Sequence, residues 1–251
     1  MSGHSKWSTI KRKKGAADAK RGALFGKLSK AISVAAREGG GDAEMNPALG
    51  LAVQKAKDAN MPNDNIQRAI DKGTGAGSDA DTYERITYEG YAPGGVAVLV
   101  DVLTDNRNRA ASDVRYLFSK NGGKLGTSGS VAYLFERKGI VLVPAESVDE
   151  EELMLVAADG GAEDVVEEES GYQVTSAPEG LQGVKEALAA VGISFESAEL
   201  TMLPKTTIRI EDEADAKKLV RLMEALEEND DVQDVYANFD IPEGVLEAVA
   251  S

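Results

Sequence analysis

The chain has 251 residues and a mass of 26.5 kDa, more than one small α/β unit needs and enough for two or three domains. It contains no cysteine and a single histidine, His4. That excludes a disulfide scaffold, a thiolate-bound zinc or iron–sulfur centre and a thiol nucleophile, and it nearly removes the Ser–His–Asp triad.

With 42% hydrophobic residues the chain can fill real cores. No apolar run approaches the ~18 residues of a membrane span. The first fifteen residues are basic and lack the apolar stretch of a secretory signal. Cytoplasmic location is expected, with no membrane partner.

Charge is divided unevenly along the chain. The net is −15, yet residues 1–40 carry 10 Lys/Arg against 2 Asp/Glu. Residues 1–80 net +6, residues 81–138 net +1 and residues 139–251 net −22. One end of such a chain is drawn to polyanions and the other is repelled by them.

Residues 1–15 show no helical or strand period. Lys6, Lys11, Arg12, Lys13 and Lys14 surround Trp7, the only tryptophan. A basic tract with one large aromatic suits phosphate contacts and base stacking. Trp7 packed back onto the helices, anchoring the arm, is the other reading, and the two are compatible.

From about Ala17 to Arg37 the period is helical, with Leu24, Leu28, Ile32 and Ala35 on one stripe and Lys20, Lys27, Lys30 and Arg37 on another. Arg21 stands beside the basic strip. Gly39-Gly40-Gly41 ends the helix. Pro47 opens a second helix reaching about Asn60, and Pro62 opens a third on Ile66, Ala69 and Ile70. The run Gly73 to Ser78 reads as a linker, so residues 1–78 form an arm plus a three-helix domain.

Two β/α-rich units follow, one placed inside the other. Strands are expected at Thr87–Tyr91, Val96–Leu103 and Val131–Phe135, with a helix after Asp105 or Asn106. A second set comprises strands at Ile140–Val143, Val165-Val166, Tyr172–Thr175 and Phe195–Met202. Its helices start near a Ser147/Glu150 capping box and at Pro178. That β-α-β-β-α-β order is ferredoxin-like. A last β-α-β runs from Thr206 to Asn238.

The expected class is therefore α+β. Residues 79–137 and 204–245 form one ferredoxin-like domain, and an acidic ferredoxin-like domain, 138–203, is inserted within it.

Candidate chemistry is thin. Asn121 to Ser130 is a glycine-rich loop carrying Lys124, but it lacks the Walker spacing. Its open uses are a plain loop, a nucleic-acid or anion contact through backbone N–H groups, or a nucleotide seat. Arg107 and Arg109 lie at a helix start with Asn106 and Asn108, an arrangement that clamps phosphate or merely caps a helix. The runs Glu150-Glu151-Glu152 and Glu167-Glu168-Glu169 read as solvated faces rather than metal sites. No cofactor, metal or small-molecule substrate is expected, and no catalysis.

Several strings occurring in order resemble the YebC/PmpR family: Gly3-His4-Ser5-Lys6-Trp7, Asp18-Ala19-Lys20-Arg21-Gly22, Tyr88-Glu89-Gly90-Tyr91, Asp105-Asn106-Arg107-Asn108-Arg109 and Gly126 to Phe135. The resemblance runs from Met1 to about Asp240. It implies a helical first domain, two α/β domains around a concave surface, and no known catalysis. Bacterial members are described as DNA-binding transcriptional regulators. A mitochondrial relative is a translational activator, and other members resemble ribosome-associated factors that relieve stalled synthesis. The strings place Lys6, Trp7, Lys20, Arg21, Arg107 and Arg109 at matching positions, and no functional residue is carried onto the acidic domain.

Two readings of function stand out. The first is a DNA-binding regulator of transcription docking through the basic arm and first helix, although no helix-turn-helix emerges from residues 17–73. The second is a translation factor bound to ribosomal or transfer RNA. An enzyme is the least supported reading. A protein partner for the acidic C-terminal domain stays open as a further reading, without a sequence signature of its own.

Overall fold

The computed structural model describes residues 18–75, 83–168 and 171–250. Three helices open the described chain: α1 (Asp18–Gly39), α2 (Pro47–Asp58) and α3 (Asn63–Gly73). Ile32, Ala35 and Ala36 of α1 pack against Leu49 and Ala56 of α2 and Ile66 and Ala69 of α3. Leu24, expected on the apolar stripe, is instead exposed. Asn46 joins the first two helices. Its Oδ1 accepts from the Leu49 N–H at 3.2 Å, capping α2, while its Nδ2 donates to the carbonyls of Ala35 and Gly40, both at 2.8 Å.

Gly73 sets how closely α3 lies on α1. A Cβ there would sit 2.3 Å from the Ser33 carbonyl oxygen and 2.8 Å from the Ala36 Cβ. The first obstacle is backbone, so relief requires the helices to part. Gly73→Ala is expected to destabilise the fold by about 2 kcal/mol, as overpacking does, read as a lower urea midpoint with an unchanged slope.

The contacts separate the rest into two units, one of residues 133–206, the other holding the three helices together with the described residues up to 132 and from 207. In the second, β1 (Glu84–Tyr91) and β2 (Ala97–Thr104) form an antiparallel hairpin turned at Pro93–Gly95, where Gly94 and Gly95 take φ of 73° and 78°. After α4 (Arg107–Lys120) and β3 (Lys124–Leu125) the chain leaves this unit. It returns through β8 (Ile208–Arg209), α7 (Glu213–Glu228), β9 (Val232–Ala237), β10 (Phe239–Asp240) and α8 (Glu243–Ala250).

The main sheet has the order β3-β1-β2-β9. Val98, Val100 and Val102 meet Val114 and Phe118 of α4 and Leu219, Leu222, Met223 and Leu226 of α7. β1 occupies the central place where a ferredoxin-like layout would put a strand from the returning half. That strand, β8, is only two residues long and pairs in parallel with β10.

In the unit of residues 133–206, β4 (Phe135–Pro144), α5 (Glu150–Asp159), β5 (Ala162–Glu168), β6 (Gly171–Ser176), α6 (Leu181–Ala190) and β7 (Ser197–Pro204) follow the ferredoxin-like order. The antiparallel sheet runs β5-β6-β4-β7. Val141, Val143 and Val174 pack on Leu153, Ala157, Val184 and Leu188.

Two local expectations are corrected here. The cap of α5 is Asp149, whose carboxylate accepts from the Glu151 N–H, and Ser147 belongs to the preceding turn. The acidic triplet Glu150–Glu152 fills the first turn of α5, where the helix dipole favours negative charge. Strands at 131–135 and 140–143 are replaced by one ten-residue strand, β4. Residues 131 and 132 cannot join it, because a carboxylate takes their N–H groups. No helix among the described residues is long and apolar enough to cross a membrane.

Candidate nucleic-acid interface

The six arm residues singled out above, Lys6, Trp7, Lys11, Arg12, Lys13 and Lys14, lie outside the described residues. Lys20 lies in the first turn of α1. Arg21 is exposed one position on, and Arg107 and Lys124 are exposed on α4 and β3.

Lys27 and Lys30 do not line an open strip. α1 lies across the C-terminal end of α7, where carbonyl oxygens lack intrahelical donors. The Lys27 ammonium donates to the Glu227 carbonyl, and the Lys30 ammonium donates to the Asp230 carbonyl at 3.1 Å and to that of Leu103 at 3.3 Å. Lys27 therefore sits at the negative pole of α7, and Lys30 on the turn just beyond it. Lys30 also pairs with the Asp231 carboxylate at 2.9 Å and lies 5.4 Å from the centre of the Tyr83 ring.

Arg109 joins the same cluster. It donates to Asp231 at 2.8 Å and Asp105 at 2.7 Å, while the Thr104 hydroxyl donates to Asp231 at 2.9 Å. Asp231 thus accepts from three side chains. Its burial works against ionisation, but the bonds from Arg109, Lys30 and Thr104 outweigh it and hold the carboxyl below the usual aspartate range. For Lys27, Lys30 and Arg109 the geometry is that of a fastening between α1, β2, α4 and the end of α7. A more exposed bridge, Lys55–Asp234 at 3.4 Å, ties α2 to β9.

The glycine-rich loop is likewise engaged from within. Glu89 projects from β1 and is only 6% exposed, covered by residues 126–132. Its carboxylate accepts from the N–H groups of Gly129 at 2.6 Å, Val131 at 2.7 Å and Ala132 at 2.8 Å. The Gly126 N–H donates to its carbonyl at 2.8 Å. Desolvation favours the neutral acid, but the backbone donors of residues 129–132 outweigh it and lower the pKa. Of the loop Asn121–Ser130, the Gly129 N–H already faces an internal anion, as do those of Val131 and Ala132 just beyond it. The Tyr91 hydroxyl adds a bond to the Ser130 carbonyl at 2.9 Å. Two of the strings noted in the sequence, Tyr88–Tyr91 and Gly126–Phe135, are therefore two halves of one structure.

What the loop leaves outward is Thr127 and Ser128 at its tip, and Lys124 directly across the sheet from Tyr91, both exposed.

A second cationic site was not anticipated. A groove between α1 and α3, with a volume of about 330 Å³, is lined by Gly26, Ser29, Lys30, Arg68, Lys72 and Tyr83, together with Ser33, Asn65 and Ala69. The signal was present as Asn65, Arg68 and Lys72 at spacings of three and four, which place them on one helical face. Among the described residues, no group of three or more acidic or histidine side chains is arranged to hold a metal ion.

Comparison with known proteins agrees with this architecture. The model of the TACO1/YebC protein N-terminal domain matches residues 5–76, and that of the TACO1/YebC second and third domain matches residues 83–239. A probable transcriptional regulatory protein of Rubrobacter xylanophilus is 71% identical over 100% of both chains. One of Syntrophobacter fumaroxidans is 56% identical, again over 100% of both. The crystal structure of a conserved hypothetical protein of Aquifex aeolicus superposes with a TM-score of 0.79 at 53% identity, covering 90% of this chain and 93% of that one. From its helical start to its last sheet strand, the chain belongs to the TACO1/YebC family.

Proposed function

We propose that the chain is a nucleic-acid-binding regulator of gene expression, acting in the cytoplasm without catalysis and docking through its basic arm and the start of α1. The observation that carries this reading is the division of charge, +8 over residues 1–40 against −22 over residues 139–251. Counterion release favours the first end on a phosphate backbone, and repulsion keeps the second away. The fastening of Lys27, Lys30 and Arg109 narrows the docking set to the arm, Lys20, Arg21, Arg107 and Lys124. DNA is the first target considered, because the relatives are named probable transcriptional regulatory proteins.

One observation favours RNA as a second reading. The exposed Tyr91 stands across from the exposed Lys124, the aromatic-plus-cation pairing on which unpaired bases stack. A ribosome-bound translation factor fits that pair better than a duplex reader.

For the full chain on duplex DNA, neutralising about five phosphates gives a log K against log salt slope of about −4 to −5. Deleting residues 1–15 is expected to reduce that slope by more than half. Equal affinity at 50 and 200 mM salt, or undiminished binding after the deletion, contradicts the reading. Crosslinking in growing cells with sequencing of both nucleic acids separates the targets. Promoter-centred DNA reads support transcription, and ribosomal or transfer RNA reads support translation.

A further inference from the structure

The groove between α1 and α3 has a construction that neither the arm nor the fastening at Asp231 explains. Its cationic wall comes from α3. The Arg68 guanidinium donates through Nε to the Asp64 carbonyl at 3.1 Å and through an Nη to the Asn65 Oδ1 at 2.9 Å. These bonds hold the fork against its own helix without neutralising it. Among the described residues no carboxylate lies within ion-pair distance of Arg68, and none lines the groove. Lys72 stands one turn further on the same wall, and Lys30 and Tyr83 close one end.

The opposite wall is α1, which presents Gly26, Ser29 and Ser33. A Cβ built on Gly26 meets nothing within 4 Å, and its backbone is ordinary helix. Packing therefore does not require glycine there. A mid-helix glycine costs about 0.5–1 kcal/mol relative to alanine, and what it leaves is open space in front of Arg68.

The recess suits a ligand with one negative group and a small body. Its volume lies at the lower end of the ~300–1,000 Å³ typical of small-ligand pockets. A duplex keeps its bases stacked and offers a recess only its backbone. A single strand can present a phosphate and turn the adjoining nucleoside inward.

We propose that this groove seats one phosphate of a single-stranded nucleic acid and its adjoining nucleoside, with Arg68 on the phosphate and the space at Gly26 and Ser29 admitting the sugar and base. This rests on the nucleic-acid reading above and adds a second, strand-selective contact to it.

The test uses the full chain, a labelled 12-nucleotide oligouridine, a 12-base-pair DNA duplex and uridine monophosphate. Arg68→Ala is expected to weaken oligouridine binding about tenfold, as loss of a charged hydrogen bond does, and to flatten its salt slope by about 0.7. Gly26→Leu adds no charge and removes no partner. It should keep or raise the thermal midpoint while weakening the same binding at least fivefold. Duplex affinity should move less than twofold in both variants.

Oligouridine binding unchanged in both variants overturns the groove and leaves the general reading standing. If the wild-type chain binds neither polymer, the general reading falls. Where oligouridine does bind, amide shifts at residues 26–33 and 65–72 on adding millimolar uridine monophosphate, lost in Arg68→Ala, are expected of the groove. Their absence would overturn it too.

Discussion

Replacing Asp231 with alanine is expected to destabilise the protein by about 3 kcal/mol, the size of effect seen when one partner of a buried ion pair is removed. Asp231 holds Lys30, whose side chain is 17% exposed, and accepts from Arg109 and Thr104. Without the carboxylate, the Lys30 ammonium keeps two carbonyls and the Tyr83 ring in a half-buried place and, among the described residues, no anionic partner. The effect should concentrate where the cluster fastens α1, so the α1 amides should lose hydrogen-exchange protection. A double variant, Lys30→Met with Asp231→Leu, removes both charges together and should be less damaging than Asp231→Ala alone.

The pH dependence follows from the lowered pKa of Asp231. A carboxyl with a depressed folded pKa contributes stability above its unfolded value, near 3.9, and loses that contribution as pH falls through the folded value. Urea midpoints of wild type and Asp231→Ala should therefore differ widely at pH 7 and converge in acid. Equal midpoints at pH 7 would show that the cluster adds nothing.

Much of the backbone was legible because its causes are local. Helical spacing, Pro47 at a first turn and Asp105 or Asn106 as a cap placed the starts of α2 and α4 within a residue or two, and Asn106 is the cap. The apolar run Val96–Leu103 marked a strand, and β2 there is buried along nearly all its length. The β-α-β-β-α-β order from 139 to 202 matches the sheet built there, because the apolar runs and the breaks between them are local.

What the sequence hid depends on partners far along the chain. Lys27 and Lys30 of the basic strip look no different in the sequence from Arg21 beside it. Which of them faces outward depends on the end of α7, some 200 residues later. Glu89 looks like a solvated strand residue, since alternation puts it on the outer face with Thr87 and Arg85. It is buried because a loop 40 residues downstream folds over it. The same loop spoiled the expected strand at 131–135, by giving two backbone donors to a carboxylate rather than to a neighbouring strand. Division of charge was thus readable, while division of labour among the charges was not.

Glu89→Gln should be the sharpest single probe of that loop. The amide is nearly the same size as the carboxylate, so packing is kept. Its Oε1 can still accept, but its Nε2 is a donor where the carboxylate offered a second acceptor. One side of the amide must then face an N–H of Gly129, or those of Val131 and Ala132, donor against donor. A buried donor left unmatched costs about 1–3 kcal/mol, so a loss of about 3 kcal/mol is expected for a substitution that changes one atom. The Tyr91–Ser130 bond should loosen with it, seen as faster exchange of the amides of residues 126–132. Because the folded pKa of Glu89 lies below its ordinary value of 4.5, the stability gap between wild type and Glu89→Gln should be full at pH 7 and shrink as pH falls through that lowered pKa. If Tyr91 and Lys124 contact RNA, the variant should also weaken oligouridine binding at pH 7, where the rest of the chain remains folded. A variant matching wild type in stability, exchange and acid response would mean the three backbone bonds do not hold the loop.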